Sequence, residues 1–270
     1  MTGSAGNATV PVDSVSLPND QAMPLFGLGT WQVTGEEAVR ATAAALAVGY
    51  RHLDTAHVYG NEGEVGRGLR ESGVSRAEVF ITTKIPPRHS EQHRVTLERS
   101  LELLGTDHVN LWLIHWTIED QVHEDLWRAM QQARGEGLVR DIGVSNYSVQ
   151  QLDRLAEATG EMPAVNQIEW SPLLFDRAVL DAHRDRGVVL EGYSGLRGGI
   201  LEHDKVVEIA RKLERTPAQV VIQWHLAHGI VVIPKSRDAE RIRSNADVGS
   251  FALDPADVAA LDELGVNAGQ

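Results

Sequence analysis

Four polar residues whose types could do chemistry together stand at or just beyond the carboxyl ends of apolar stretches. Asp54 lies in the segment Arg51–Ala56, inside GYRHLDTAHVYGNEGEVGRGL, and Tyr59 follows it closely. Lys84 ends VFITTK and His115 ends LWLIH. A phenol can donate a proton, an ammonium can lower its pKa, a carboxylate can hold the ammonium, and an imidazole can orient a carbonyl. Those are the groups that carbonyl reduction requires. Singly, each has an ordinary structural explanation: an Asp after a strand caps a turn, a strand-end Lys is solvated, and a lone His is a satisfied structural group. The coincidence of the four is what points to a site.

The elements that must position them alternate along the chain. Strand-like apolar runs are expected at Met23–Thr30, His52–Ala56, Val79–Lys84, His108–His115, Val139–Asn146, Ala164–Trp170, Val188–Ser194 and Ile230–Ser236. Amphipathic helical stretches lie between them, among them Glu36–Val48, Glu91–Leu104, Glu124–Gly135 and Val149–Ala158. The seventh connection is long, with one helix at Lys205–Leu213 and a second capped by Thr216 and opened by Pro217. A last helix starts at Asp254-Pro255 and ends near Gly265. Continuous apolar strands are those of a sheet buried on both faces. Eight such units in 270 residues predict a closed α/β barrel of the (β/α)8 TIM type, a single domain over residues 1–270. Residues 1–20 read as a polar lead-in with room for a hairpin from Val10 to Leu17 capping one end. In such a barrel the carboxyl strand ends converge on one mouth, so groups distant in sequence can meet.

Composition narrows the function classes. Lys plus Arg (25) less Asp plus Glu (38) leaves a net charge of −13, which argues against binding nucleic acid or an anionic membrane as the main task. No run approaches membrane-spanning length and the N-terminus carries no signal-peptide pattern. There is no cysteine, which excludes disulfides and thiolate metal sites and fits a cytoplasmic enzyme. Eleven histidines invite a metal search, but there is no H-E-x-x-H, and His52, His57 and His115 lack a matched acidic set, so no metal is expected. His225 and His228, three apart on a helix, read as a polar stripe. No G-x-G-x-x-G occurs, which sets aside a Rossmann fold.

Three further groups of residues bear on a ligand. Ser145 and Asn146 close IGVSN, Gln167 lies in VNQIEW and Tyr193 in EGYS. Ser, Asn and Gln can pair with a carboxamide and a tyrosine ring can stack on a nicotinamide, although Ser145-Asn146 could equally cap the helix that follows. The small loop Ser194, Gly195, Leu196, Arg197, Gly198, Gly199 could close over a pyrophosphate. IPKSRDAERIRSN holds Lys235, Ser236, Arg237, Arg241, Arg243 and Asn245, the one cation cluster on an acidic chain, with Arg241 and Asn245 spaced i, i+4 on a helix face. A ribose 2′-phosphate suits such a site.

From MPLFGLGTW to IPKS and the helix after it, the chain resembles the aldo-keto reductase family, whose tetrad is Asp, Tyr, Lys and His in this chain order. The resemblance implies reduction of aldehydes or ketones, sugar-derived and dicarbonyl compounds included, by hydride from NADPH. Tyr59 would be the proton donor, Lys84 would lower its pKa, Asp54 would hold Lys84, and His115 would bind the substrate oxygen. It implies Ser145, Asn146, Gln167 and Tyr193 for the nicotinamide, Ser194 and Leu196 on the phosphate loop, and Lys235, Ser236, Arg241 and Asn245 for the adenosine phosphate. Trp31, Val58 and Trp116, with His57 nearby, are placed to line the substrate pocket, although both tryptophans could equally pack the barrel rim.

The chain departs from the family at Thr117, where Pro is common, at Gly195, again in place of Pro, and at Ser244, where an acidic residue is common. The segment from Thr117 to Asp125 is short and little sequence follows Gly265. The family implies a monomer. Two alternatives stand beside the reductase: an NADPH-sensing binding module on the same fold, and a lyase forming a Schiff base on Lys84.

Overall fold

The computed structural model describes residues 10, 11, 13–117 and 121–267; half of the expected lead-in, residues 1–9 and 12, lies outside them, as do residues 118–120 of the segment after Thr117. An antiparallel hairpin comes first, β1 (Ser14–Ser16) on β2 (Ala22–Pro24), with Val15 opposite Met23. The chain then alternates: β3 (Leu28–Gly29), α1 (Gly35–Val48), β4 (His52–Asp54), α2 (Glu62–Ser72), β5 (Phe80–Ile85), α3 (His93–Leu104), β6 (Val109–Ile114) and α4 (Glu124–Gly135). It continues through β7 (Val139–Ser145), α5 (Val149–Thr159), β8 (Val165–Glu169), α6 (Arg177–Asp185) and β9 (Val189–Tyr193). Two helices, α7 (Asp204–Leu213) and α8 (Pro217–Ala227), precede β10 (Val231–Val232), α9 (Ala239–Ala246) and α10 (Pro255–Asn267).

Strands β3 to β10 pair in parallel in chain order as one eight-stranded sheet. Its ends meet: Phe26 bridges Val232 and Gly29 bridges Lys235, with Gly27 N donating to Val232 O at 2.9 Å and Val232 N to Leu25 O at 2.8 Å. The sheet is a closed (β/α)8 barrel. The expected first strand, Met23–Thr30, divides. Its beginning pairs with β1 across the barrel end, so the hairpin reaches beyond the stretch 10–17, and only Leu28–Gly29 joins the barrel as a strand.

Apolar side chains fill the layer between strands and helices. Trp112 of β6 is buried there with Trp127 and Met130 of α4 and Leu97 of α3. Helix starts follow local chemistry. Thr216 and Gln219 form a reciprocal capping box ahead of Pro217, and Ser148 does the same with Gln151 at α5. That assignment removes Ser145-Asn146 from the capping role. His225 and His228 do not form a polar stripe: both are buried, His225 edge-on to Trp224 and His228 stacked on Phe175, with His228 Nε2 at 2.7 Å from Asp262 Oδ1. α10 covers the helix at His228, and Trp170 with the end of β9 covers it at His225, so a polar face would have no water to meet.

Two glycines let the helix after Tyr59 approach its neighbours. A Cβ on Gly68 would stand 2.7 Å from Val39 O of α1, and one on Gly66 would stand 2.4 Å from Leu104 O at the end of α3. Only a residue without a side chain permits that backbone contact. Among the described residues no helix is long and apolar enough to cross a membrane, and no group of three His, Cys, Asp or Glu could hold a metal.

Candidate active site

The barrel mouth collects the sequence-predicted residues, and local bonds explain how. Asp54 ends β4, and Thr30 beyond β3 donates to its carbonyl through both its backbone N (3.0 Å) and Oγ1 (2.9 Å). The chain then makes a short 3-10 turn, His57–Tyr59, closed by Gly60 at a φ of 66°. Buried Asn61 pins that turn by donating to Thr30 O (2.9 Å) and Val33 O (2.8 Å) and accepting from Thr55 Oγ1 (2.8 Å). Glu62, also buried, accepts from Thr83 Oγ1 at 2.6 Å and Ser100 Oγ at 3.0 Å. Burial pushes its pKa up and those hydroxyls oppose the shift. Asn61 and Glu62 therefore set where Tyr59 stands, a task that sequence reasoning had not given them. The N-E pair directly after Tyr59-Gly60 was its only trace.

Lys84 is fully buried near the end of β5. Its Nζ donates to both oxygens of Asp54, at 2.7 and 2.8 Å, and to Thr55 O at 2.8 Å. Burial pulls the Lys84 pKa down, but Asp54, then Tyr59 and Glu191, outweigh it and the net shift is upward. The ammonium lies 5.1 Å from the centroid of the Tyr59 ring. Lys84 pulls the Tyr59 pKa down in the expected sense, but the net direction is upward. Burial is the largest influence, and Asp54 and Glu191 add to it against the downward pull of Lys84. His115 stands edge-on to Tyr59, ring centroids 5.5 Å apart. Burial, then Lys84 and Arg88, lower its pKa to about 3, so the imidazole is neutral. Its Nδ1 is buried without a hydrogen bond among the described residues.

The four residues of the next strand ends are joined to one another and to this group. Ser145 Oγ donates to Gln167 O (2.9 Å), Asn146 Nδ2 to Ser145 Oγ (3.0 Å), and Tyr193 OH to Asn146 Oδ1 (2.9 Å). Gln167 Nε2 donates to Asp54 Oδ2 at 2.9 Å, a link across the barrel that no local pattern foreshadowed. Beyond Tyr193, Ser194 adopts a φ of 57° and half-buried Leu196 packs against the core. Trp31, Val58 and Trp116 are 42, 40 and 50% exposed. Trp116 stacks on His115 and meets Tyr193 edge-on, while Trp31 lies under the Arg197 guanidinium at 5.3 Å, so the loop after β9 touches the rim on the side of β3.

The cation cluster leaves β10 as expected. Lys235 bridges Gly29, buried Ser236 exchanges bonds with Asp238, and Asp238 caps α9 by accepting from Arg241 N at 2.9 Å. Arg237 pairs with Glu37. Lys235, Arg241 and Arg243 have no carboxylate partner among the described residues, whereas Arg67, Arg94, Arg134 and Arg186 each have one. A donor set left with spare positive charge in such a chain fits a phosphate. Asn245, one turn after Arg241, is buried.

The Aldo/keto reductase family matches residues 25–266, nearly all of the chain. The chain belongs to the aldo/keto reductase family. It is therefore an oxidoreductase of the NADP-dependent kind that acts on carbonyl groups. It is 43% identical to an aldo-keto reductase of Mycobacterium sp. (strain JLS), over 93% of this chain and 92% of the relative. To the glyoxal reductase of Bacillus subtilis it is 41% identical over the same shares. The crystal structure of an aldo/keto reductase from Brucella melitensis superposes with a TM-score of 0.90 at 38% identity, over 95% of this chain and 98% of that one. A mutant of Gox0644 solved in complex with NADPH superposes with a TM-score of 0.88 at 36% identity, over 95% and 93% of the two chains.

Within this aldo/keto reductase one acid near the mouth had escaped the sequence reading. Glu191 sits on β9 between Gln167 and Val231, fully buried, two residues before Tyr193. A glutamate inside the apolar run VVLEGY was the signal, since an unpaired acid in a barrel strand is costly.

Proposed function

We propose that this reductase converts aldehydes and ketones, sugar-derived and dicarbonyl compounds among them, to alcohols, with Tyr59 donating the proton. The observation that carries the reading is the buried Lys84 ammonium, bonded to both Asp54 oxygens and lying 5.1 Å from the Tyr59 ring. A phenol held above its ordinary pKa stays protonated through the neutral range and so remains loaded to donate. As the proton leaves, the fixed ammonium beside it stabilises the phenolate that forms. Asp54 keeps the ammonium charged and in place. His115, neutral, has one N–H to offer a substrate oxygen and fixes the carbonyl near Tyr59.

NADPH when bound supplies the hydride. Ser145, Asn146 and Gln167 are the side chains we assign to its carboxamide and Tyr193 to its ring, with Ser194 and Leu196 on the loop over the phosphates. Lys235, Ser236, Arg241 and Asn245 would hold the 2′-phosphate side. Trp31, Val58 and Trp116, exposed at the mouth, would contact the substrate. A monomer is the working form in this proposal, and a cytoplasmic setting suits a chain without cysteine.

The Schiff-base alternative needs a lysine that sheds its proton readily. Lys84 is driven the other way by Asp54, which speaks against it. Tyr59→Phe is the test that also separates a sensor from an enzyme. NADPH oxidation with small aldehydes and α-dicarbonyls should fall by about 10²–10⁴ while NADPH still quenches tryptophan fluorescence. Undiminished turnover in Tyr59→Phe removes Tyr59 from the acid role. Tight NADPH binding by the wild type with no turnover on any carbonyl would favour the sensor.

A further inference from the structure

Glu191 lies inside the barrel, beneath the candidate tetrad, with no task in the reading above. Neither of its oxygens has a hydrogen bond among the described residues, and the side chain is wholly buried. Its ionisable neighbour on β4, His52, stands with Nε2 3.8 Å from Oε1, and that same nitrogen is 3.1 Å from Thr82 Oγ1 of β5. On β8 Gln167 is its register partner and donates to Asp54, whose oxygens both receive Lys84. A short path of side chains thus runs Glu191, Gln167, Asp54, Lys84, Tyr59.

We infer that Glu191 is a positioning residue of the reduction, acting through Asp54 and Lys84: the charge on its carboxyl sets the pH range over which Tyr59 keeps its proton. The inference rests on Tyr59 being the acid. Its physical basis is the scarcity of countercharge in the barrel interior. A buried carboxylate is tolerated only when paired, and Lys84, the one cation within reach among the described residues, is already shared by the two oxygens of Asp54. Glu191 is therefore held neutral at neutral pH. Burial, then Asp54, push its pKa up to about 8, and the charge on Lys84 opposes them.

The groups facing Glu191 are His52 and Asp54 from β4, Lys84 from β5, Gln167 from β8 and Tyr59 from the turn after β4; β10 presents Val231. His52 cannot take the part, since burial, then Lys84, hold its pKa down to about 3. Glu191 is the member of this group that changes charge in mildly alkaline solution. Once ionised, its negative charge opposes formation of the Tyr59 phenolate and strengthens the hold on the Lys84 proton. Reduction needs the protonated phenol, so an ionised Glu191 carries reduction to higher pH than Tyr59 alone would reach.

The test compares pH profiles of kcat/KM for reduction of one small aldehyde by the wild type, Glu191→Gln and Tyr59→Phe at constant ionic strength. Glu191→Gln deletes the charge, so its alkaline limb, referred to its own plateau, should move down by about one pH unit, about tenfold in rate on the falling limb. A Glu191→Gln profile that differs from the wild type only by a constant factor, with Tyr59→Phe inactive, overturns the inference and leaves Tyr59 as the acid. Tyr59→Phe that still turns over sinks the parent reading instead. Should Glu191→Gln fail to fold, Glu191→Met serves: an apolar side chain of similar size replaces an acid without hydrogen bonds, so the variant should melt no lower than the wild type and show the same downward limb. An unmoved limb in a folded Glu191→Met equally overturns the inference.

Discussion

Replacing Asp54 with Asn removes one negative charge and keeps the shape of the side chain. In the wild type Lys84 Nζ donates to the two oxygens that carry that charge, at 2.7 and 2.8 Å, and Lys84 is fully buried. Removing one partner of a buried pair costs about 3–5 kcal/mol, because the other charge is left behind without compensation. Lys84 would keep its bond to Thr55 O at 2.8 Å, which is no substitute for a carboxylate. The sign of the pH dependence distinguishes this cause from a general loss of packing. In the wild type Lys84 has a folded pKa above its unfolded value, so its contribution is fully present below the unfolded pKa and is lost as pH rises through the folded one. In Asp54→Asn, burial acts without its main opponent and the folded pKa of Lys84 falls below the unfolded value of about 10.4. The unfolded variant then binds more protons than the folded one, and its stability rises with pH over that interval. Urea unfolding of both proteins from neutral to alkaline pH measures the difference. The gap should be about 3–5 kcal/mol at neutral pH and should narrow as pH rises. A gap that is absent at neutral pH, or that stays constant or widens with pH, refutes the reasoning. Turnover of the variant should fall with it, since Tyr59 loses a reliably charged neighbour.

Arg241→Ala should weaken NADPH binding far more than NADH binding, by about 1–3 kcal/mol for the former, measured as fluorescence titrations side by side; equal weakening of both would take Arg241 off the 2′-phosphate. Gly195→Ala places a Cβ 2.9 Å from Cε1 of His225, whose ring is held by Val221 O at 2.8 Å. It should lower stability by about 1–3 kcal/mol, seen as a lower urea midpoint with unchanged slope, and an unchanged midpoint would mean that the ring yields at no cost.

Much of the site was legible in sequence because its residues sit at strand ends, and strand ends are where apolar runs stop. Asp54, Lys84 and His115 announced themselves in this way, as did the cluster of cations after β10 on a chain of net charge −13. Helix starts were legible for the same kind of local reason: Thr216 and Gln219 bond to each other's backbone within one turn, and Glu124–Gly135 carries its own apolar stripe. The outer fold was also readable, since eight apolar runs with helices between them can be closed into a barrel in few ways.

What the sequence could not decide were the relations across the barrel, where the partner is many residues away and the environment is set by burial. The division of Met23–Thr30 between a hairpin and β3 depends on Ser14–Ser16 arriving to pair with its first half. His225 and His228 follow a polar spacing, yet α10 covers His228 and the end of β9 covers His225. The direction of the Tyr59 shift turns on how much water is excluded and on Glu191, 132 residues further along (191 less 59), neither of which a motif records. Residue types and spacing determined which groups the protein brings to its mouth. Only the tertiary structure decided their charges, because a charge inside a protein is fixed by the solvent it has lost and the neighbours it has gained.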